Sequence, residues 1–276
     1  MRTTFLFIFF SMILFTSCKK QGEISPDIKT DSFHADSILK KYLISQEQHA
    51  EANPVGGPGG ASGFMSYFLY DNTGRVIRRT GGVISGFTAS YYTPLIYDTL
   101  VYAGSNTVTL STGVIPNPDF TLLYPHIRVI SFTGGLVTKK ITYYYDGNYG
   151  NDTIYYYYDG AKKLEHTEQF NHNYSQINQY AYNSSGNLTK ITGSYTYRRT
   201  NYLTSTTEEF FSGYDNTANP LKGPVLWEDL LYRSLSSNNF NTYEYIEKDA
   251  AGIEDWHEYI HIPLGYDING HVNFAK

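Results

Sequence analysis

The feature that most constrains the fold is a short pattern that recurs along the chain. In the clearest copies an aromatic pair precedes a turn of Asp or Asn with Gly, and an apolar residue follows; the weaker copies keep only part of this pattern. The clearest copies are Tyr67–Ile77 and Tyr180–Ile191, and weaker copies lie at 130–137, 143–147, 155–164 and 265–272. Asp, Asn and Gly adopt the turn conformations, and the flanking residues suit strands. Each copy therefore predicts one β-hairpin. The predicted fold is all-β, a meander of antiparallel β-hairpins forming an extended curved sheet or open roll.

Two segments carry a family resemblance. Tyr-Asp-Asn-Thr-Gly-Arg-Val at 70–76 resembles the YD repeat, also called the RHS repeat, of bacterial secreted and surface proteins. Tyr214–Gly223, followed by Ser236–Asn239, resembles uncharacterised Bacteroidota lipoproteins with YD-like repeats. That family has no established activity, so the resemblance implies a hairpin fold and an envelope location but no catalytic residues. A fragmentary relative of RHS toxin-delivery proteins is an alternative interpretation.

The first eighteen residues are typical of a lipoprotein signal. Arg2 precedes an apolar run from Phe5 to Phe15, which is too short to span a membrane, and Thr16-Ser17-Cys18 follows. Cys18 is the single cysteine of the chain. The arrangement resembles the lipobox of bacterial lipoproteins, with Phe15 where that family prefers Leu. It implies a signal peptide at 1–17, acylation of Cys18, and a membrane partner held through N-terminal acyl chains, including palmitate.

The rest of the chain divides into three stretches. A polar tether begins at Lys19, and the helical spacing of Ile38, Leu39, Tyr42 and Leu43 predicts a short helix within Asp31–Gln48. A Gly/Pro linker covers 53–63, so 18–63 forms the tether with its helix and linker. The β domain is expected at 64–276, with Pro224–Ser234 as its one helix candidate.

Charge and cysteine content limit the function classes. The net charge is −5 and the pI about 5.9, which argues against a nucleic-acid partner. With its one cysteine in the lipobox, the mature chain has no intramolecular disulfide or cysteine metal site. No phosphate loop or nucleophile elbow occurs, and no cofactor is predicted.

A zinc-peptidase pattern occurs near the C-terminus, where His257-Glu258-Tyr259-Ile260-His261 matches HExxH. On a helix the two histidines could ligate one metal, with Glu258 activating water. Apolar and polar residues alternate across this segment, however, and a turn at Asp249–Gly252 predicts a hairpin of strands at 243–248 and 253–262. On a strand the two histidines lie about 13 Å apart. A zinc hydrolase is thus the alternative to a non-enzymatic protein.

Aromatic residues provide a binding hypothesis. Trp227, Trp256, Tyr156 and Tyr158 could present ring faces to a glycan or protein partner, although aromatic residues on strands more often pack across the sheet. Asp-Ser/Thr-Ile/Leu triplets at Ser37, Thr99 and Thr153 resemble the O-glycosylation sequence of exported Bacteroidota proteins. The sequence therefore predicts a non-enzymatic envelope lipoprotein, located at the outer membrane, that acts as a structural or binding module for a protein or glycan partner.

Overall fold

The computed structural model describes residues 41–44, 64–73, 75–85, 90–114, 126–144, 150–219, 221–223, 226–227, 231–261, 264–266, 268, 270 and 272–273. The chain divides into two units, Met1–Ser37 and Ile38–Lys276, and every described residue lies in the second. None of the described helices has the length and apolar character needed to cross a membrane.

Strands dominate the described part of the chain. Fourteen form one antiparallel sheet in which each strand pairs with its neighbour in sequence, so the order runs from β1 to β14. The elements are β1 (Lys41–Ile44), β2 (Phe64–Tyr70), β3 (Val76–Ser85), β4 (Ser90–Ala103), β5 (Thr107–Val114), β6 (His126–Thr133), β7 (Leu136–Tyr144), β8 (Asn151–Tyr158), β9 (Leu164–Phe170), β10 (Tyr174–Tyr182), β11 (Leu188–Tyr197), β12 (Tyr202–Ser212), α1 (Leu231–Leu235), β13 (Thr242–Asp249), β14 (Glu254–His261), β15 (Gly265–Tyr266) and β16 (Val272–Asn273). The predicted all-β meander is confirmed.

One turn geometry closes several hairpins. At Asp159, Asn183 and Asp249 the backbone carbonyl accepts a bond from the N–H three residues on, and the side-chain oxygen accepts bonds from N–H groups two and four residues on. The third residue after each is left-handed: Lys162 has φ 63°, Gly186 79° and Gly252 83°. Asp71 accepts the same side-chain bonds. The recurring Asp/Asn-plus-Gly pattern is thus a repeated bulged turn.

The N-terminal helix prediction is wrong for four of its residues. Lys41–Ile44 is strand β1 and pairs with Phe64–Tyr67 of β2, while the remainder of 31–48 lies outside the described residues. A short isolated helix is marginal in water, whereas the edge of β2 offers backbone partners to an apolar segment. The second helix candidate is partly realised, since α1 occupies 231–235.

The core lies on one face of the sheet, which we call the inner face. Alternate residues of successive strands are buried there, as in Ile96, Asp98 and Leu100 of β4. The same face carries Val108, Leu110, Ile130, Val137, Tyr156, Leu164, Tyr180, Leu188, Ile191, Phe211 and Tyr243. Intervening residues form the outer face, where the ion pairs from Lys190 and Lys248 to Glu208 lie.

The connection Gly213–Asn241, which we call the insert, packs against this inner face. Its Trp227 bonds to Asp98 of β4, and its Tyr232 bonds to Glu209 of β12. β4 and β12 are eight strands apart in the sheet order, which is about 38 Å on a flat sheet. Trp227 and Tyr232 are five residues apart, and that length of chain spans about 18 Å at most. The sheet therefore curls around the insert.

The two family-like segments, Tyr214–Gly223 and Ser236–Asn239, contact each other within the insert. Asp215 accepts bonds from the Asn239 backbone N–H (3.0 Å) and side-chain amide (3.1 Å). Asn219 donates to the carbonyl oxygen of Ser236 (3.0 Å). These polar residues satisfy the backbone of an irregular buried segment, so their role is structural.

The insert is also joined to the turn between β10 and β11. The Asn238 backbone N–H donates to Asn187 Oδ1 (2.8 Å), and Ser236 Oγ accepts from the Leu188 N–H (3.1 Å). Both Asn187 and Ser236 are buried. A regular hairpin and an irregular connection are thereby held as one packed layer.

Candidate functional site

The best candidate site lies on the inner face of β13 and β14. Tyr243 is fully buried in the core and stands opposite Ile260, so the alternate pairs that follow also face inward. These are Tyr245 opposite Glu258, and Glu247 opposite Trp256. The last two pairs, which we call the aromatic–acid patch, bring two aromatic rings and two carboxyl groups together at the end of the sheet.

The patch combines an exposed ring with partly buried acids. Trp256 is 53 % exposed, although most aromatic residues of the inner face are buried. Tyr245 Oη donates to Glu247 Oε2 over 3.1 Å. Oε2 of Glu258 is buried and has no hydrogen-bond partner among the described residues. The patch therefore offers a ring face to a ligand, with the carboxyl groups of Glu247 and Glu258 beside it.

The electrostatics of the patch follow from burial and from its acids. Burial raises the pKa of Glu258, and a hydrogen bond with Trp256 opposes part of that change. Burial also raises the pKa of the Tyr245 hydroxyl, and the Glu247 carboxylate adds to the effect. The Tyr245 hydroxyl therefore remains a neutral donor, and the patch contains two carboxyl groups but no basic side chain. An anionic ligand would be repelled.

A polar row adjoins the patch on the inner face. Across β10, β11 and β12, Asn178 stands opposite Gly193, and Gly193 stands opposite Thr207. A Cβ atom at Gly193 would lie 2.2 Å from Thr207 Oγ1, so glycine is required there. The next row holds Gln176, whose Nε2 donates to Asn178 Oδ1 (2.9 Å). Amide groups on β10 and the hydroxyl group of Thr207 on β12 thus extend the polar surface that begins at Glu247 of β13.

This combination of groups suits a polyhydroxylated ligand. A flat indole face packs on the C–H face of a sugar ring, and carboxylate and amide groups bond with its hydroxyls.

Of the four aromatic residues proposed from the sequence, the structure leaves one well exposed. Trp227 is 7 % exposed and Tyr156 is 6 % exposed, so neither presents a ring face at the surface of the described structure. Trp227 fills the space between the insert and Phe68, and Tyr156 packs in the core under the inner face. Tyr158 is half-buried and packs against the same core. Removing these large apolar side chains from water stabilises the fold, and this favours packing in the core over presentation at the surface.

The proposed modification residues fall in different places. Thr99 is exposed on the outer face of β4, and Thr153 is half-buried on β8. Ser37 and Cys18 lie outside the described residues. Their modification stays a prediction.

The HExxH segment is strand β14, as its alternation predicts. His257 lies on the outer face, where Nε2 is 2.9 Å from Glu244 Oε1, while Glu258 lies on the inner face. His261 shares the outer face with His257, four residues along an extended strand. The glutamate and the histidines therefore point to opposite sides of the sheet. Among the described residues, no three His, Cys, Asp or Glu side chains cluster as a metal site.

A buried charge network was missed from the sequence. Asp98 accepts bonds from Thr112 (2.6 Å) and Trp227 Nε1 (2.7 Å), and it pairs with Arg128. Burial alone would raise the pKa of Asp98, but Arg128 and these hydrogen bonds hold it below its usual value. The signal was the alternation Ile96, Asp98, Leu100, which puts a carboxylate on the apolar face. The network joins the insert to the sheet, so its role is structural.

Comparisons with known proteins give fold-level similarity. No family model matches the sequence, and no curated protein matches it. A porin-like protein from Bacteroides vulgatus ATCC 8482 is similar with a TM-score of 0.48 and 10% identity, over 84% of this chain and 90% of that chain. A porin-like protein from Bacteroides uniformis ATCC 8492 is similar with a TM-score of 0.47 and 11% identity, over 78% of this chain and 83% of that chain.

Proposed function

We propose that this chain is a non-enzymatic lipoprotein of the cell envelope that binds a glycan at the aromatic–acid patch. Cys18 would carry the acyl chains that attach the protein to the membrane. The observation that supports glycan binding is the half-exposed indole of Trp256, which lies between Glu247 and Glu258 on the inner face.

The charges of the patch limit the ligand class. Glu247 stands opposite Trp256, and the whole chain carries a net charge of −5. Neutral glycans and amino sugars are therefore favoured over uronic-acid or sulfated polymers. A nucleic acid is disfavoured for the same reason.

The two tryptophans make the glycan proposal testable by fluorescence. Trp227 is buried and Trp256 exposed, so a sugar that stacks on Trp256 should shift its emission and protect it from acrylamide quenching. The probes are a panel of neutral, amino-sugar and acidic polysaccharides. Trp256→Ala should abolish binding of any polysaccharide that the wild type retains.

Tyr259 provides the matched control for this experiment. It is 65 % exposed on the same strand but faces outward, so Tyr259→Ala should leave glycan binding unchanged. Equal loss in the two variants, or no retained polysaccharide in the panel, would contradict the proposal.

The anchor has its own experiment. Mass spectrometry of the native protein should find an acylated N-terminal residue at Cys18, and Cys18→Ser should move the chain from the detergent phase to the aqueous phase. An unmodified cysteine in the membrane fraction would contradict the anchor without affecting the glycan site.

A further inference from the structure

The last strand of the sheet has one unpaired edge. β14 ends the strand order, and no described strand pairs with its second side. The Asp249 backbone N–H and C=O bond across the turn to Ile253 (2.9 Å) and Gly252 (3.0 Å), so Asp249 faces β14. The direction of the backbone groups alternates along β13, so Glu247, Tyr245 and Tyr243 also face β14. Their partners Trp256, Glu258 and Ile260 therefore point their own backbone groups toward β13.

The backbone groups of the intervening residues point the other way. His257, Tyr259 and His261 present N–H and C=O groups at the free edge of β14. Proteins usually block such an edge with Lys, Pro or a covering segment. Residues 254–261 contain neither Lys nor Pro, and six of the eight are exposed. Within the part of the chain that the structure describes, this edge is open to an added strand.

The sequence of β14 is complementary to itself. A two-fold axis perpendicular to the sheet keeps inner faces together and makes adjoining strands antiparallel. With the axis at Glu258, Trp256 stands opposite Ile260 of a second copy, and Asp255 stands opposite His261 of that copy. Each pair occurs twice, so two apolar contacts and two contacts between a carboxyl group and an imidazole flank the axis.

We propose that β14 pairs with β14 of a second copy of this chain, in an antiparallel register centred on Glu258. The two sheets become one continuous sheet, and both aromatic–acid patches lie on its inner face. The paired edges supply backbone partners to His257, Tyr259 and His261 of each copy.

The centre of the register is consistent with the state of Glu258. Two carboxylates directly opposite each other would repel, so this register requires at least one of the two to be protonated. Burial already raises the pKa of this carboxyl group, so two of them across the axis can share one proton. A register centred on His257 instead places two imidazoles side by side and sets Asp255 opposite Tyr259 rather than opposite a histidine.

Cysteine cross-linking tests the register directly. In a Cys18→Ser background the chain has no other cysteine, so any disulfide reports the introduced residue. Two residues at position 258 would have Cα atoms about 4.5 Å apart, within the range of a disulfide. Two residues at position 257 would be about 8 Å apart, beyond that range. Glu258→Cys should form a covalent dimer on oxidation and His257→Cys should not; the reverse result, or equal yields, overturns the register.

Proline substitution tests the edge itself. Tyr259→Pro removes an outward N–H without taking a donor from the β13–β14 ladder, and Tyr259→Ala removes the same ring but keeps that N–H. Sedimentation equilibrium of the full chain with Cys18→Ser should show a dimer. Tyr259→Pro should weaken it at least about tenfold, since two symmetry-related hydrogen bonds are lost, and Tyr259→Ala much less.

Circular dichroism distinguishes a lost edge from a lost fold, because both variants should keep the strand spectrum of the parent. A monomeric parent at every concentration, or dimerisation by Tyr259→Pro as tight as that of Tyr259→Ala, overturns the proposal. Open-ended oligomers overturn it as well, since a two-fold edge contact closes at two copies.

Discussion

At the scale of single residues, Glu209 is a carboxyl group that the fold holds in an apolar site. It is buried on β12, where the hydroxyls of Tyr232 (3.1 Å) and Tyr243 (2.9 Å) donate to it. Burial raises the pKa of Glu209 to about 7, against the lowering effect of these two bonds. The group therefore binds a proton in the folded state under conditions where the unfolded chain has released it.

This difference predicts that stability falls as pH rises from about 4.5 to about 7. The folded state binds more protons across that window, so the contribution is full at the acid end and lost above pH 7. Its size is on the order of 3 kcal/mol. Glu209→Gln should remove this slope in urea unfolding experiments run from pH 4.5 to 8, and parallel wild-type and variant profiles would contradict the prediction.

Glu208 provides the control on the opposite face. Hydrogen bonds from Lys190 and Lys248 lower the pKa of Glu208, so its contribution is lost as pH falls. Glu208→Gln should therefore change the acid end of the profile and leave the Glu209 window intact. The sequence does not show that the pKa values of these two adjacent glutamates shift in opposite directions. The alternation of faces along β12 separates them, but only once the inner face of the sheet is known.

At the scale of elements, one turn departs from the others. Lys162 occupies the left-handed position (φ 63°) that Gly186 and Gly252 occupy in the equivalent turns. A side chain in this conformation costs about 1–2 kcal/mol, while glycine has none of that strain and loses more backbone entropy on folding. Lys162→Gly should therefore raise the free energy of unfolding by roughly 0.5–1 kcal/mol.

Gly252→Ala should have the opposite effect. Nothing lies within 4 Å of a Cβ built at Gly252, so the substitution tests the backbone conformation without a steric clash. We expect a loss of about 1 kcal/mol. Denaturant midpoints of both variants provide the measurement. Shifts in the same direction would show that the left-handed position does not control the stability of these hairpins.

The hairpins were predictable because each is encoded locally. An Asp or Asn with a nearby Gly sets the turn, and flanking Tyr and Ile set the strands, as at Asn183–Gly186. β1 was not predictable in this way. Lys41–Ile44 suits a helix by spacing, and its strand form depends on pairing with β2, which lies beyond the Gly/Pro linker. Local patterns thus gave the meander, and long-range pairing decided its first strand.

The site was predicted less well than the fold for a reason that belongs to the whole molecule. Trp227 and Trp256 look equivalent in the sequence, because each lies next to two acidic residues. The insert carries Trp227 onto the inner face beside Asp98, whereas Trp256 lies on the last strand, beyond that cover. Which tryptophan is exposed depends on the curl of the sheet around the insert, and the hairpin pattern carries no information on curl.

The same arrangement predicts how the molecule loses its structure. Trp227→Phe keeps a ring beside Phe68 but removes the Nε1–H donor to Asp98, leaving a buried carboxylate oxygen with less support. We expect a loss of about 1–3 kcal/mol. Trp256→Phe, at the exposed tryptophan, should stay within about 0.5 kcal/mol of the wild type. Because Trp227 joins the insert to β2–β4, hydrogen exchange should accelerate first in those strands in Trp227→Phe, while β9–β12 keep their protection. Uniform acceleration across the sheet would show instead that the insert does not divide the sheet into separately opening parts.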